Sequence, residues 1–191
     1  GTTGKLLWRF DAEHSIRHNA IAIGGDRVYL IDRKKAAIDT IDYRKVKGQK
    51  DAPHPSGTLL AITASTGKVD WKKSKDVFGT MLALSAEKNI LLMSYQPTRF
   101  RLPSEVGGRM AVFHTTDGYR VWDRKVNYSS RPMLNGKTIY AEGGAWDLKT
   151  GVDREFKFKR SYGCGILAGG NNLMLFRSAT MGYFDLADTK K

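Results

Sequence analysis

One interval constrains this chain more than any other feature. A Gly closes a turn and a Trp follows at the fourth residue after it: Gly4 to Trp8, Gly67 to Trp71, Gly118 to Trp122. In the best-formed copy, Ala61-Ile62-Thr63-Ala64-Ser65-Thr66-Gly67-Lys68-Val69-Asp70-Trp71, an apolar run enters the turn and a second run leaves it. Thr3-Gly4-Lys5-Leu6-Leu7-Trp8 repeats the turn and the Trp, and Asp117-Gly118-Tyr119-Arg120-Val121-Trp122 repeats the spacing. Ala145-Trp146-Asp147-Leu148-Lys149-Thr150-Gly151 repeats the entry, with Glu155 in the Trp position. A faint last copy runs from Tyr183 to Thr189. Recurrence of this kind marks stacked units that bury their apolar faces on one another.

The local chemistry agrees. Gly in a Thr-Gly pair reaches positive φ without steric cost, so it makes a tight turn. The flanking runs are short and rich in β-branched and aromatic residues, which reads as strands. A Trp at a fixed place after the turn lies between neighbouring sheets and buries roughly 150–250 Å². Trp8, Gly67, Trp71, Gly118, Trp122 and Gly151 are therefore expected to be structural docking residues rather than ligand contacts.

Taken in order, the chain reads as a loose first strand over residues 5–11, then blades at about 14–76, 79–126, 131–160 and 163–191. Polar insertions interrupt the first two blades, over about 33–56 and 96–108. The third is compact and carries an Asn135-Gly136 turn, a strong hairpin signal. Its fourth strand is expected over 154–159, and the last blade is expected to open at Cys164 and to lack a fourth strand.

The pattern A-x-D-x-x-T-G-x-x-x-W resembles the tryptophan-docking motif of PQQ-like β-propellers. The first copy departs from it at Thr63, the second at His114 and Asp117, and the third lacks the Trp. The resemblance covers nearly the whole chain and implies an all-β propeller of four-stranded antiparallel blades, about four of them. That family holds quinoprotein alcohol dehydrogenases and non-enzymatic propellers such as outer-membrane assembly lipoproteins, so it also implies a periplasmic or secreted protein. The stretch from Leu175-Phe176-Arg177-Ser178 to Tyr183-Phe184-Asp185-Leu186 is similar to a subgroup of large bacterial PQQ-like repeat proteins. This implies that the sequence is one segment of a longer chain. By strand count, residues 5–11 are expected to complete the last blade, within the chain or in a second copy, and in a fragment the open edges invite self-association.

Catalytic patterns are sparse. The PQQ pocket of the quinoprotein enzymes includes adjacent cysteines, calcium ligands and a catalytic Asp; with Cys164 as the sole cysteine, adjacent cysteines are impossible. No catalytic residue, metal site or cofactor is therefore expected, and a fragment of a quinoprotein oxidoreductase is the alternative. His14 and His18 stand in a loop-then-strand context that does not suit a metal pair, His54 lies between prolines, and His114 takes a structural place in a docking copy. Cys164, between glycines at a strand start, reads as a small buried thiol.

Charge points outward instead. Lys and Arg number 32 against 19 Asp and Glu, a net charge of +13. The excess clusters at Arg33-Lys34-Lys35 and at Arg44, Lys45, Lys47 and Lys50 in the first insertion, with further groups at Lys72-Lys73-Lys75, Arg99-Arg101-Arg109 and Lys157-Lys159-Arg160. A basic loop on one propeller face attracts an anionic polymer or an acidic protein surface. No nucleic-acid motif accompanies the charge, and no apolar run approaches the roughly 20 residues that span a bilayer. The function expected is a non-catalytic binding or scaffold module.

Overall fold

The computed structural model describes residues 3–40, 55–95, 104–105, 107–160 and 167–187. Its elements are antiparallel meanders. The first sheet holds β1 (Ile16–Gly24), β2 (Arg27–Asp32), β3 (Thr58–Thr63) and β4 (Val69–Lys73) in that order. The second holds β5 (Met81–Ser85), β6 (Ile90–Ser94), β7 (Arg109–His114) and β8 (Arg120–Lys125). The third holds β9 (Met133–Asn135), β10 (Thr138–Ala141), β11 (Gly144–Asp147) and β12 (Asp153–Arg154). The last has three strands, β13 (Ala168–Gly170), β14 (Leu173–Arg177) and β15 (Met181–Asp185). The leading strands touch in series, β1 to β5, β5 to β9 and β9 to β13, which sets the sheets around an axis as the blades of a β-propeller.

The middle strands of the second and third sheets have no polar face because a sheet covers each side. All of β6 is buried, from Ile90 to Ser94. Between the first two sheets, Tyr29, Ile31, Leu59 and Ala61 pack on Leu82, Leu91, Met93 and Phe113. Between the second and third, Ile90, Leu92, Met110 and Val112 meet Ile139, Ala141, Trp146 and Leu148. The third junction is aromatic: Phe158 and Phe184 lie 5.3 Å apart, and Phe158 and Phe176 lie 4.7 Å apart.

Three of the four indoles, those of Trp8, Trp71 and Trp122, reach across to a following sheet. Trp8 Nε1–H donates to the Ala64 carbonyl at 2.7 Å, Trp71 to the Thr115 carbonyl at 2.9 Å, and Trp122 to the Leu148 carbonyl at 3.0 Å. The rings lie on glycines. A Cβ added to Gly67 would stand 2.6 Å from Trp8 Cγ, and one added to Gly118 would stand 2.7 Å from Trp71 Cε3. Both glycines have positive φ, 74° and 67°, so turn geometry and close approach each require them. A bulge aims the ring: Ile62 pairs with Val69 and Ala61 with Trp71, leaving Asp70 as the extra residue. Val121 is the extra residue in the second sheet. Such a bulge re-aims a side chain by bending the strand.

The third sheet lacks the bulge. Trp146 pairs with Asp153 and Ala145 with Arg154, and β12 stops there. The expected fourth strand over 154–159 is thus shortened to two residues, and Glu155 is exposed. Phe156 and Phe158 leave the sheet and fill the last junction instead. β13 begins at Ala168 and runs through Gly169 and Gly170, with the turn shifted to Asn171. Cys164 lies outside the described residues. Residues 5–11 pair with no strand among the described residues, and they rest on the first sheet through Trp8 and Phe10.

Candidate binding face

Hairpin turns and connections fall on opposite rims of the sheets. The β1–β2, β3–β4, β5–β6 and β7–β8 turns form one rim. The other carries the two insertions, between β2 and β3 and between β6 and β7. That second face carries a buried polar cluster formed at the described ends of the two insertions.

Asp32 ends β2 and is 6% exposed. Its carboxylate accepts from the backbone N–H of Glu13 at 2.7 Å, His14 at 3.1 Å and Ser15 at 2.8 Å, which fastens the chain entering β1. A carboxylate with several N–H donors is a satisfied buried charge. Arg33 follows and is 5% exposed. Its Nη1–H donates to the Phe78 carbonyl at 2.7 Å and its Nη2–H to Ser104 Oγ at 3.1 Å. Burial pulls this guanidinium below its ordinary value, against the opposing charges of Asp39 and Glu105. It stays charged, because that ordinary value lies far above neutral.

A short 3-10 helix over Ala37–Thr40 brings Asp39 to the same place. Asp39 accepts from Ser104 N at 2.9 Å and Ser104 Oγ at 2.6 Å, and Arg17 approaches it at 3.5 Å. One insertion is thereby tied to the other, and both are tied to the sheets below. Burial raises the Tyr95 hydroxyl beside them above its usual value.

A second cluster lies where the first two sheets meet. Arg109 donates through Nε to Asp123 at 2.8 Å and through Nη1 to Asp76 at 3.0 Å, with its guanidinium 4.2 Å from the Phe78 ring centroid. Arg120 reaches the same carboxylates at 3.1 and 3.2 Å. The hydrogen bond to Asp123, then that to Asp76, raises the Arg109 guanidinium, and Arg109 in turn holds the Asp76 carboxyl below its usual range. At the third sheet Arg160 donates to Glu142 at 3.0 Å, with both side chains nearly buried.

These geometries divide the basic residues. Arg33, expected among the partner contacts, points inward, because the Phe78 carbonyl and Ser104 take its donors. Arg109 and Arg160 are likewise held by carboxylates. Lys34 and Lys35 are exposed beside Arg33, as are Lys72, Lys73 and Lys75 along the outer strand. Arg binds several acceptors in a fixed planar fork, whereas Lys is a strongly hydrated point charge, so the partition follows their chemistry. Arg44, Lys45, Lys47, Lys50 and His54 lie outside the described residues. His14 precedes β1 and His18 lies within it, and His114 is exposed and stacks on Tyr119 at 6.1 Å. Among the described residues no group of three His, Cys, Asp or Glu side chains is placed to hold a metal ion. Asp32, Asp39 and Ser104 were not legible as site residues. The one local signal was the Asp32-Arg33 pair at a strand end, a charged pair where a strand enters a loop.

No family model matches the sequence, and no curated protein matches it. Solved structures do. BamB from Moraxella catarrhalis is 16% identical with a TM-score of 0.64, over 97% of this chain and 51% of that one. The chain thus spans about half the length of BamB. The computationally designed Ika4 protein is 13% identical with a TM-score of 0.63, over 96% of this chain and 99% of that one. A europium-containing methanol dehydrogenase is 14% identical over 78% of this chain and 26% of that one, with a TM-score of 0.46. The feature shared with BamB and Ika4 is the fold, that of a β-propeller.

Proposed function

We propose that this chain is a non-catalytic binding module that presents a braced, lysine-bearing face to an acidic protein surface. The observation that carries the reading is the Arg33–Asp39–Ser104 tie. It spends a buried guanidinium and a carboxylate on holding two insertions together, while Lys34 and Lys35 project beside them. A preorganised platform reduces the ordering cost of binding. The net charge of +13 adds long-range attraction to an acidic partner. The fold it shares with BamB suits such a role. A periplasmic or secreted location belongs to this proposal.

Retention on immobilised polyglutamate tests it. The native chain is expected to bind at low salt and elute as ionic strength rises, because counter-ions screen such contacts. Lys34→Glu with Lys35→Glu is expected to elute at clearly lower salt than the charge-matched control Lys72→Glu with Lys73→Glu. Equal loss in the two pairs would mean general charge, not this face. Stronger, equally face-dependent retention on heparin would shift the partner to an anionic polysaccharide. The oxidoreductase alternative has its own signature, since a ligand bound only by the folded state raises the melting temperature. PQQ with Ca²⁺ is expected to leave that temperature unchanged.

A further inference from the structure

We infer that a cavity walled by β5, β9 and the approach to β13 binds a compact monocarboxylic acid, with Arg131 on the carboxylate and apolar side chains around the body. The site is separate from the lysine-bearing insertions and does not depend on the binding reading above. The cavity holds about 310 Å³. Met81 and Leu84 reach it from β5, Met133 and Leu134 from β9, and Leu167 from just ahead of β13. Among the described residues, Arg131 is the one charged side chain in its wall, and no carboxylate lines it.

The opening has a local cause. Pro132 has no N–H to give to a ladder, so β9 starts at Met133, opposite Tyr140. It keeps three residues, where β5 has five and β1 has nine. The missing length leaves space beside Met81 and Leu167. The chain ahead of Arg131 is nonetheless held. Ser129 N donates to the Glu142 carbonyl at 3.0 Å, and Glu142 N donates to Ser130 Oγ at 2.7 Å. The guanidinium therefore projects from a fixed piece of backbone.

Arg131 itself departs from the repeat. The first hairpin of each sheet closes with Gly24 opposite Arg27, Ser85 opposite Ile90 and Asn135 opposite Thr138. Four residues before these closing positions stand Ala20, Met81 and Arg131. Ala20 and Met81 are each 1% exposed. The first two sheets thus place a buried apolar side chain here, and the third places a half-buried guanidinium. Arg33, Arg109 and Arg160 are held by acceptors of the fold. Arg131 makes no hydrogen bond or ion pair among the described residues. A residue that breaks the local rule without a structural gain marks a functional position.

The chemistry of the wall selects the ligand. A guanidinium gives a carboxylate two parallel N–H donors in one plane. The apolar side chains reward a hydrophobic body, and the thioethers of Met81 and Met133 adapt to its shape. An inorganic dianion would press its remaining charge on an apolar surface, which is unfavourable. Small-molecule sites commonly enclose roughly 300–1,000 Å³, with apolar walls and a few placed polar groups. This cavity lies at the small end of that range, which suits a compact acid.

Phenylacetate is the probe, followed on the full chain by the methyl signals of its methionines, whose shifts respond to the aromatic ring. It is expected to saturate one site and to move Met81 and Met133, while Met110 and Met174, buried elsewhere, stay in place. Acetate lacks the body and phenethylammonium reverses the charge, so neither is expected to move them at the same concentration. Arg131→Met is expected to weaken phenylacetate at least about tenfold, the loss of a charged hydrogen bond. Its circular dichroism spectrum is expected to be unchanged, because Arg131 holds no partner. Lys72→Met makes the same change of charge on the outer strand of the first sheet and is expected to bind as the native chain does. Absence of saturation at millimolar phenylacetate overturns the inference. So does equal weakening in the two variants, or an equal response to phenethylammonium.

Discussion

Replacing Trp71 with Ala is expected to lower the unfolding free energy by about 3 kcal/mol, near the low end for loss of a large aromatic because the ring is half-buried. The ring bridges two sheets, and its loss removes three contacts together. It lies on Gly118, it is 6.1 Å from the Tyr29 ring, and its N–H satisfies the Thr115 carbonyl. Trp71→Phe keeps most of the apolar area and loses the donor, so about 1 kcal/mol is expected. Gly118→Ala attacks the same contact from the opposite side. Its Cβ would meet the indole at 2.7 Å, on a backbone with φ of 67°. Overlap and strain together are expected to cost about 2–3 kcal/mol. Denaturant unfolding monitored by far-UV circular dichroism reads all three, as a lower midpoint at unchanged slope. A neutral Gly118→Ala would contradict the seating of the indole.

Arg33→Met carries the second large effect, a loss of about 3–5 kcal/mol, because two buried hydrogen bonds from a charged donor go, each worth roughly 1.5–3 kcal/mol. The Phe78 carbonyl would lose its donor, and Asp39 would lose a neighbouring positive charge in a dry setting. Arg33→Lys is not expected to rescue the fold, because an ammonium cannot reach both the Phe78 carbonyl and Ser104 in the fork geometry. Lys34→Ala, one residue away and exposed, is expected to stay within about 0.5 kcal/mol. Chemical denaturation of the three variants separates the inward arginine from its outward neighbour. Equal stabilities for Arg33→Met and Lys34→Ala would remove the brace from the account.

How far the sequence could be read depends on how local each determinant is. The docking repeat carries the junction, because turn, bulge and indole all fall within residues 63–71 or 114–122. β-strand runs such as Ile90–Ser94 were legible for the same reason. Arg33 was not. Its neighbours Lys34 and Lys35 suggested an exposed basic run, while its partners come from Phe78 and Ser104, far along the chain. The third junction was equally hidden. Phe156 and Phe158 alternate with Lys157 and Lys159, a pattern that suits an outer strand, and only the unbulged pairing of Ala145 with Arg154 sends them elsewhere. The docking residues show how a binary pattern becomes geometry, whereas the binding face rests on contacts between segments distant in sequence.

The phenylalanine junction has a mechanical meaning. Two seams along the arc are indexed by an indole hydrogen bond to one carbonyl, which fixes the tilt of one sheet on the next. The last seam is held by ring against ring, with Phe156 and Phe184 5.5 Å apart, and such contacts tolerate sliding. In any circular assembly of near-identical wedges, small errors of pitch accumulate until the final gap no longer matches the final wedge. A seam without an index takes up that mismatch, and here it joins the third sheet to the three-stranded last one.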